Sequence, residues 1–234
     1  SAPDGSRTIV ALIDTPIQTD GPYSGFLLDS ISIATGIAPD SSVPSHGTSM
    51  FQSLLRGLNA GVGSQTETSV VVLPIDIYGN SDATSTFHVA NGIVTAVNEG
   101  ASIINLSLGS TADSPLLHDV IQQATARGVT IIASAGNEPT THNVYPAAYQ
   151  EVLAVTAGTR SGQIADYANR GDFVDVIGPG TTIVNYNDEN FRITGTSPAS
   201  AFIAGVAAGL ATTTGANPKA IQAGLTLQYG PDQK

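Results

Sequence analysis

An aspartate, a histidine and a serine can together open an acyl bond. The hydroxyl attacks, the imidazole takes its proton, and the carboxylate orients the imidazole. In this chain one of each stands where an apolar run meets a turn. Asp14 closes TIVALID, His46 opens HGTSMFQSLLRGL, and Ser197 lies in GTSPASAFIAG, ahead of an alanine-rich run with helical spacing. Asn137, which ends VTIIASAGN, adds a side-chain amide donor. Ser197 has two readings. A serine before a helix is a common N-cap, and the proline after it suits a first turn whose N–H groups lack partners. A hydroxyl there also sits beside those N–H groups and the positive end of the helix dipole, where developing negative charge is stabilised. Asp14, His46 and Asn137 each have a plain reading too, as turn formers or a polar helix start.

The order of elements decides whether these residues can meet. TIVALID (8–14) and VVVLPID (70–76) are continuously apolar and end in an acid, the pattern of strands buried on both faces. ASIINLSLG and VTIIASAGN repeat it, and EVLAVTA and FVDVIGPG predict two further short strands. HGTSMFQSLLRGL predicts a helix opening near Gly47. TFHVANGIVTAVNEG predicts one ending at Gly100, and SPLLHDVIQQATARG one ending at Gly128. The Ser197 helix and a short one over Pro218 to Leu227 close the chain. Buried strands alternating with amphipathic helices predict a parallel sheet covered on both faces. Right-handed crossovers then put every strand's carboxyl end on one edge, the edge where such sheets bind ligands. Asp14, Ser107 to Gly109 and Asn137 fall there, with His46 and Ser197 at helix starts.

Composition narrows the partners. Nineteen acids against eight Lys and Arg, a net charge of -11, disfavour a nucleic-acid partner and an anionic membrane surface. No apolar run reaches the roughly 18 residues of a membrane span. Cysteine is absent, which excludes thiol chemistry, Cys-based zinc sites and disulfides. Residues 1–234 suit one large α/β domain, a mature chain or an excised one. Few charges and many Ser, Thr and Asn suit an extracellular or cell-surface protein, and no signal peptide is visible. No G-x-G-x-x-G follows the first strand, which disfavours dinucleotide binding.

Five segments together resemble the subtilisin-like serine proteases, the subtilases. GTSPASAFIAG stands where that family has G-T-S-x-A-x-P-x-V-A-G, HGTSMFQ where it has H-G-T-H-V-A-G, and IVALIDTPI where an apolar strand precedes D-S/T-G. SAGN resembles its A-A-G-N, and the S-L-G of NLSLGS its substrate-lining segment. The order Asp, His, Ser is also the family's. The resemblance covers nearly the whole chain and implies a three-layer α/β/α fold with a mostly parallel, doubly wound central sheet. It implies a serine endopeptidase in which Ser197 attacks the scissile carbonyl, His46 moves the proton and Asp14 holds the imidazole. The Asn137 amide and the Ser197 N–H would form the oxyanion hole. Ser107, Leu108 and Gly109 on one side, and Ser134, Ala135 and Gly136 on the other, would flank an extended peptide or protein substrate by strand addition. The resemblance requires no cofactor for the chemistry, allows a structural calcium that no motif here places, and brings a propeptide or flanking domains as partners. The alternative is a catalytically silent subtilase-fold module for peptide binding or adhesion in a larger surface protein. A sedolisin-like acid peptidase shares the GTS serine motif but needs glutamate as base and aspartate at the oxyanion position, where His46 and Asn137 stand.

Departures from the family pattern carry expectations of their own. Pro16 replaces a glycine, fixing φ near roughly -65° and retilting the Asp14 loop. Ser49 replaces the second histidine. Phe51-Gln52 replaces an Ala-Gly pair, and that bulk is expected to push the His46 helix from its neighbours or to need a compensating gap. Ala201, followed by Phe202, replaces a proline. Asp20, Asp40, Asp76, Asp82 and Glu189 read as solvated acids without calcium-loop spacing. Arg170-Gly171-Asp172 reads as a chance adhesion tripeptide, and the Asn105-Leu106-Ser107 sequon as buried and unmodified. His88, His118 and His142 lack metal-ligand spacing. Glu138, next to Asn137, would border the pocket for the residue before the scissile bond and favour a basic side chain there.

Overall fold

The structure is a computed structural model that describes residues 7–19, 22–36, 41–63 and 68–231. Seven strands form one sheet in the order β2-β3-β1-β4-β5-β6-β7. They are β1 (Thr8–Asp14), β2 (Ile31–Ser32), β3 (Val70–Asp76), β4 (Ile103–Leu106), β5 (Thr130–Ser134), β6 (Val152–Gly158) and β7 (Val176–Pro179). Every pairing within it is parallel. Among the described residues five α-helices cover it: α1 (His46–Val62), α2 (Thr86–Asn98), α3 (Pro115–Ala126), α4 (Thr196–Thr214) and α5 (Pro218–Tyr229).

Successive strand residues point to opposite faces, so each continuously apolar strand feeds two cores. Val10, Leu12, Val72 and Ile132 pack with Met50 and Leu54 of α1, Ile203 and Val206 of α4, and Ile221 and Leu225 of α5. Ala11, Ile13, Ile75 and Ile131 pack with Val89 and Ile93 of α2 and Leu117 and Ile121 of α3. The apolar runs read as strands therefore owe their lack of alternation to burial on both faces. β1 lies between β3 and β4, where the strand order reverses direction, so its carboxyl end opens into a crevice.

α4 runs under the sheet and is buried along most of its length by Ala, Gly and Ile. Its approach to α1 is set by glycine. A Cβ on Gly205 would lie 1.9 Å from the Leu54 carbonyl oxygen, and one on Gly57 would lie 1.8 Å from that of Phe202. Both neighbours are backbone and cannot swing aside. Gly205→Ala is expected to cost about 3 kcal/mol, lowering Tm by roughly 6–12 °C. A melt unchanged from wild type would refute this contact as the determinant of the helix spacing.

Two features depart from the sequence reading. A hairpin of β8 (Thr181–Tyr186) and β9 (Glu189–Thr194) precedes α4 where no strand was expected. Its two-residue turn, Asn187-Asp188, has φ of 49° and 61°, the conformation that Asn and Asp tolerate in tight hairpins. The bulk at Phe51-Gln52 does not push α1 away. Phe51 is buried, and Gln52 reaches the hairpin, donating to the Asn185 carbonyl at 2.7 Å and accepting from the Asn185 N–H at 2.9 Å. The side-chain amide serves the hairpin as a short length of extra strand, and Arg56 adds a 2.6 Å bond to the Ile183 carbonyl.

Candidate active site

Asp14 is the last residue of β1 and is 2% exposed. Its Oδ1 accepts from the Thr15 N–H at 2.7 Å and meets His46 Nδ1 at 2.7 Å. A carboxylate calls for the proton on Nδ1, which leaves Nε2 as the basic nitrogen. His46 is the first residue of α1. Ser45 caps that helix, accepting from the Thr48 N–H at 3.0 Å, and donates from Oγ to the Pro16 carbonyl at 2.7 Å. Thr15 Oγ1 accepts from the Gly47 N–H at 2.8 Å. The aspartate loop and the helix start are thus laced together on both sides of the ion pair. Pro16 contributes its carbonyl, and its ring does not separate the pair.

Ser197 is the second residue of α4. The N-cap is Gly195, with no side-chain cap bond, so the capping reading of the serine falls away. A residue from another segment takes that work: Asn137 Oδ1 accepts from the Thr196 N–H at 2.9 Å and from Thr196 Oγ1 at 3.1 Å. With its oxygen committed as an acceptor, Asn137 keeps its NH2 as a donor. Neither Asn137 Nδ2 nor the Ser197 N–H makes a hydrogen bond among the described residues. The Ser197 hydroxyl donates a long 3.4 Å bond to the Ser107 carbonyl, and Ser107 Oγ donates back to the Ser197 carbonyl at 3.1 Å.

Strand register places these groups side by side. Ile13 pairs with Leu106, so Asp14, the last residue of β1, and Ser107, the first after β4, leave neighbouring strands side by side. Strands lie about 4.8 Å apart. The Asp14–His46 pair therefore shares one sheet edge with the Ser197 hydroxyl, which is turned to Ser107 with no bond to His46 among the described residues. Below it runs a buried chain that sequence reading missed. Ser200 Oγ donates to Asn105 Oδ1 at 2.8 Å, and Asn105 Nδ2 donates to Ser107 Oγ at 2.9 Å. Asn105 is fully buried, which also closes the sequon. The available signal was an amide inside an apolar strand, since a buried amide must find partners.

The two segments expected to flank a substrate differ. Leu108 and Gly109 make no turn or loop backbone bond among the described residues, and the bridge between Ser110 and Tyr145 begins only after them. A groove of about 480 Å³ lies against this segment, lined in part by Tyr78, Asp82, Leu117 and Tyr145. Ala135 and Gly136 instead use their N–H groups internally, on the Val155 carbonyl and on Thr196 Oγ1. Ser134 ends β5 and is buried. Glu138 is exposed beside Asn137.

Burial tends to lower the His46 pKa, but the charge and the hydrogen bond of Asp14 outweigh it and hold the imidazole above its ordinary 6.5. Burial and the negative charge of Asp14 push Tyr78 up to about 12. The protonated and neutral forms of His46 follow opposite pH trends, one adding stability and the other supplying the base. The stabilising share is complete below 6.5 and is lost as pH rises through the raised value. The neutral base appears over that same rise, so kcat/KM is expected to climb with a midpoint above 6.5. A plateau already reached at pH 5 would exclude His46 as the base.

Other residues resolve simply. Asp76 is a correction. It ends β3, is 3% exposed, and its Oδ1 accepts from the N–H groups of Tyr78 and Gly79 at 2.9 and 2.8 Å. Burial followed from its strand, whose last residue sits beside Asp14. Asp82 and Glu189 are exposed, while Asp20 and Asp40 lie outside the described residues. No group of three or more His, Asp or Glu side chains comes together among the described residues. Arg170 folds back onto the carbonyls of Ala165 and Asp166 and does not present the tripeptide. His118 contacts Glu151 at 3.0 Å and stacks on Tyr149. No described helix is long and apolar enough to cross a membrane.

Comparison with known proteins gives a consistent picture. The sequence model described as the subtilase family matches residues 5–226. Thermitase of Thermoactinomyces vulgaris is 29% identical over 226 residues, covering 95% of this chain and 81% of the relative. Subtilisin Savinase of Lederbergia lenta is 30% identical over 207 residues, 87% of this chain and 76% of the relative. The minor extracellular protease Epr of Bacillus subtilis is 31% identical over 208 residues, 84% of this chain but 30% of the relative. Several other relatives are matched over about half their length. Among solved structures, a mutant of the protease domain of PatA superposes with a TM-score of 0.79 at 25% identity, covering 92% of this chain and 84% of that one. A cold-adapted subtilisin-like serine proteinase gives 0.74 at 26% identity, covering 95% and 82%.

Proposed function

This chain belongs to the subtilase family, and from that premise we propose that it is a serine endopeptidase working through Asp14, His46 and Ser197. The observation that carries the proposal is the 2.7 Å Asp14–His46 contact on the edge where the Ser197 hydroxyl lies beside two unpartnered N–H donors. In this reading the reaction runs through those groups. With a peptide in place, Ser197 Oγ turns from the Ser107 carbonyl to His46 Nε2, gives up its proton and attacks the carbonyl carbon. Asp14 stabilises the imidazolium that forms. The oxyanion points between Asn137 Nδ2 and the Ser197 N–H, fixed donors that need no reorganisation as charge develops. His46 then protonates the leaving amine. Water repeats the sequence and frees the enzyme from the acyl-serine intermediate.

The substrate is an extended peptide or protein chain. Leu108 and Gly109 offer backbone for strand addition, and the groove lined by Tyr78 and Tyr145 receives a side chain from the segment before the scissile bond. Glu138 and Asp82 put negative charge at the cleft, which favours basic side chains. Matched peptides with Lys and Leu before the scissile bond are expected to differ in rate, Lys being faster, and equal rates would end this assignment. The enzyme acts outside the cell in this reading, as the name of one relative states for that protein. A propeptide or flanking domains would be its chain-borne partners.

The deciding experiment is labelling of the folded chain with an active-site fluorophosphonate. One label on the peptide containing Ser197 is the expected result. No labelling of folded protein would favour the silent peptide-binding module.

A further inference from the structure

Asn137 owes its orientation to more than Thr196. It lies in a short loop, residues 135–138, that leaves β5 for the active-site edge. This loop is held by the Val155 carbonyl, which accepts from the Ala135 N–H, and above all by Asn169, which is 1% exposed. Asn169 Nδ2 donates to the Ala135 carbonyl at 2.8 Å, and its Oδ1 accepts from the Glu138 N–H at 2.8 Å. Its backbone N–H donates to the Gly136 carbonyl at 3.0 Å. Its own carbonyl accepts from Thr156 Oγ1 at 2.5 Å, tying it to β6. The amide has one orientation that satisfies both partners, because a carbonyl needs the NH2 and an N–H needs the oxygen.

The contacts bracket Asn137 on both sides. Ala135, Gly136 and Glu138 are all bonded to Asn169, and the residue between them is the one whose NH2 must point at the oxyanion. The fit is close: a Cβ on Gly136, which has φ of +104°, would lie 2.6 Å from Asn169 Nδ2. Thr196 grips the opposite side through the Gly136 N–H and Asn137 Oδ1.

We propose that Asn169 is a positioning residue for the reaction, a buried amide strap that sets the oxyanion-hole loop and acts through Asn137. It touches neither substrate nor reacting atoms. The inference rests on the assignment of Asn137 as an oxyanion donor. An oxyanion donor matters most in the transition state, so loosening its support lowers kcat and leaves KM nearly unchanged.

The test uses the active chain with a chromogenic peptide substrate, in the variants Asn169→Asp, Asn169→Ser and Asn137→Ala and in the double variants with Asn137→Ala. Asn169→Asp sets a carboxylate oxygen against the Ala135 carbonyl. Asn169→Ser retains a hydroxyl for one of the two partners. Asn169→Asp is expected to lower kcat by roughly 10–100-fold with KM within about threefold, and Asn169→Ser by less, both in protein with a cooperative melt. In the Asn137→Ala background the Asn169 effect is expected to shrink below about threefold, because the group it orients is gone. Full additivity in that background, a loss confined to KM, or failure of both single variants to fold would make Asn169 a fold element only and overturn the proposal. If Asn137→Ala itself leaves kcat unchanged, the oxyanion assignment is what fails.

Discussion

Ser197→Ala is expected to lower kcat by about 10⁶-fold while the fold survives, a magnitude that comes from removal of the same group in a subtilisin itself. The loss is large because the chain has no cysteine and the neighbouring hydroxyls are committed, Thr196 Oγ1 to Asn137 and Ser107 Oγ to the Ser197 carbonyl. Water can still reach the bound carbonyl, polarised by the Asn137 amide and the Ser197-position N–H, so a residual rate about 10³–10⁴-fold over uncatalysed hydrolysis should persist. Folding is spared because the hydroxyl makes, among the described residues, only the 3.4 Å bond to Ser107. Steady-state kinetics on a chromogenic peptide, with a thermal melt alongside, measure both. Retention of a tenth of the activity would show that Ser197 is not the nucleophile.

Asp14→Asn should cost about 10⁴-fold in kcat, again a figure from serine proteases with this triad. The side chain is buried at the end of β1 and keeps its shape on substitution, so the loss is electrostatic. The negative charge that stabilises the imidazolium disappears in either amide orientation. In one orientation the new NH2 also donates to His46 Nδ1, which forces the proton onto Nε2 and leaves no base facing Ser197. The pH profile supplies an independent readout. Asp14 is what holds the His46 pKa above 6.5 against burial, so the variant's residual activity should rise with a midpoint below that of wild type. An unmoved midpoint would mean that Asp14 does not govern the imidazole.

The departures at Phe51 and Gln52 show how sequence expectation and packing differ. Bulk in a tight helix pair predicts strain if it faces the partner helix. Here the partner face is carried by Gly57 and Gly61, and Gln52 faces the hairpin, where its amide completes a strand edge. The hairpin itself had a local signal, Asn187-Asp188 between alternating residues, which was overshadowed by the stronger apolar periodicity of the helices around it.

The sequence by itself determined that Asp14, His46, Asn137 and Ser197 stand at or near element ends on one edge of the sheet. Continuous apolar runs ending in Asp14 and near Asn137 can be satisfied only in a sheet buried on both faces, and parallel crossovers then leave no choice of edge. It also determined that Ser197 opens a helix, through Gly195 and the alanine-rich run after it. Only the tertiary structure decided whether Ser197 was a cap, because the competing cap acceptor, Asn137, comes from 60 residues earlier in the chain (197 − 137). It alone buried Asp76 beside Asp14, joined Asn105 to Ser200, and set Asn169 against the loop that carries Asn137. Those contacts are between polar residues far apart in sequence. Local propensity and periodicity register which face of an element is apolar. They carry no information on which distant hydrogen-bonding group will be waiting there.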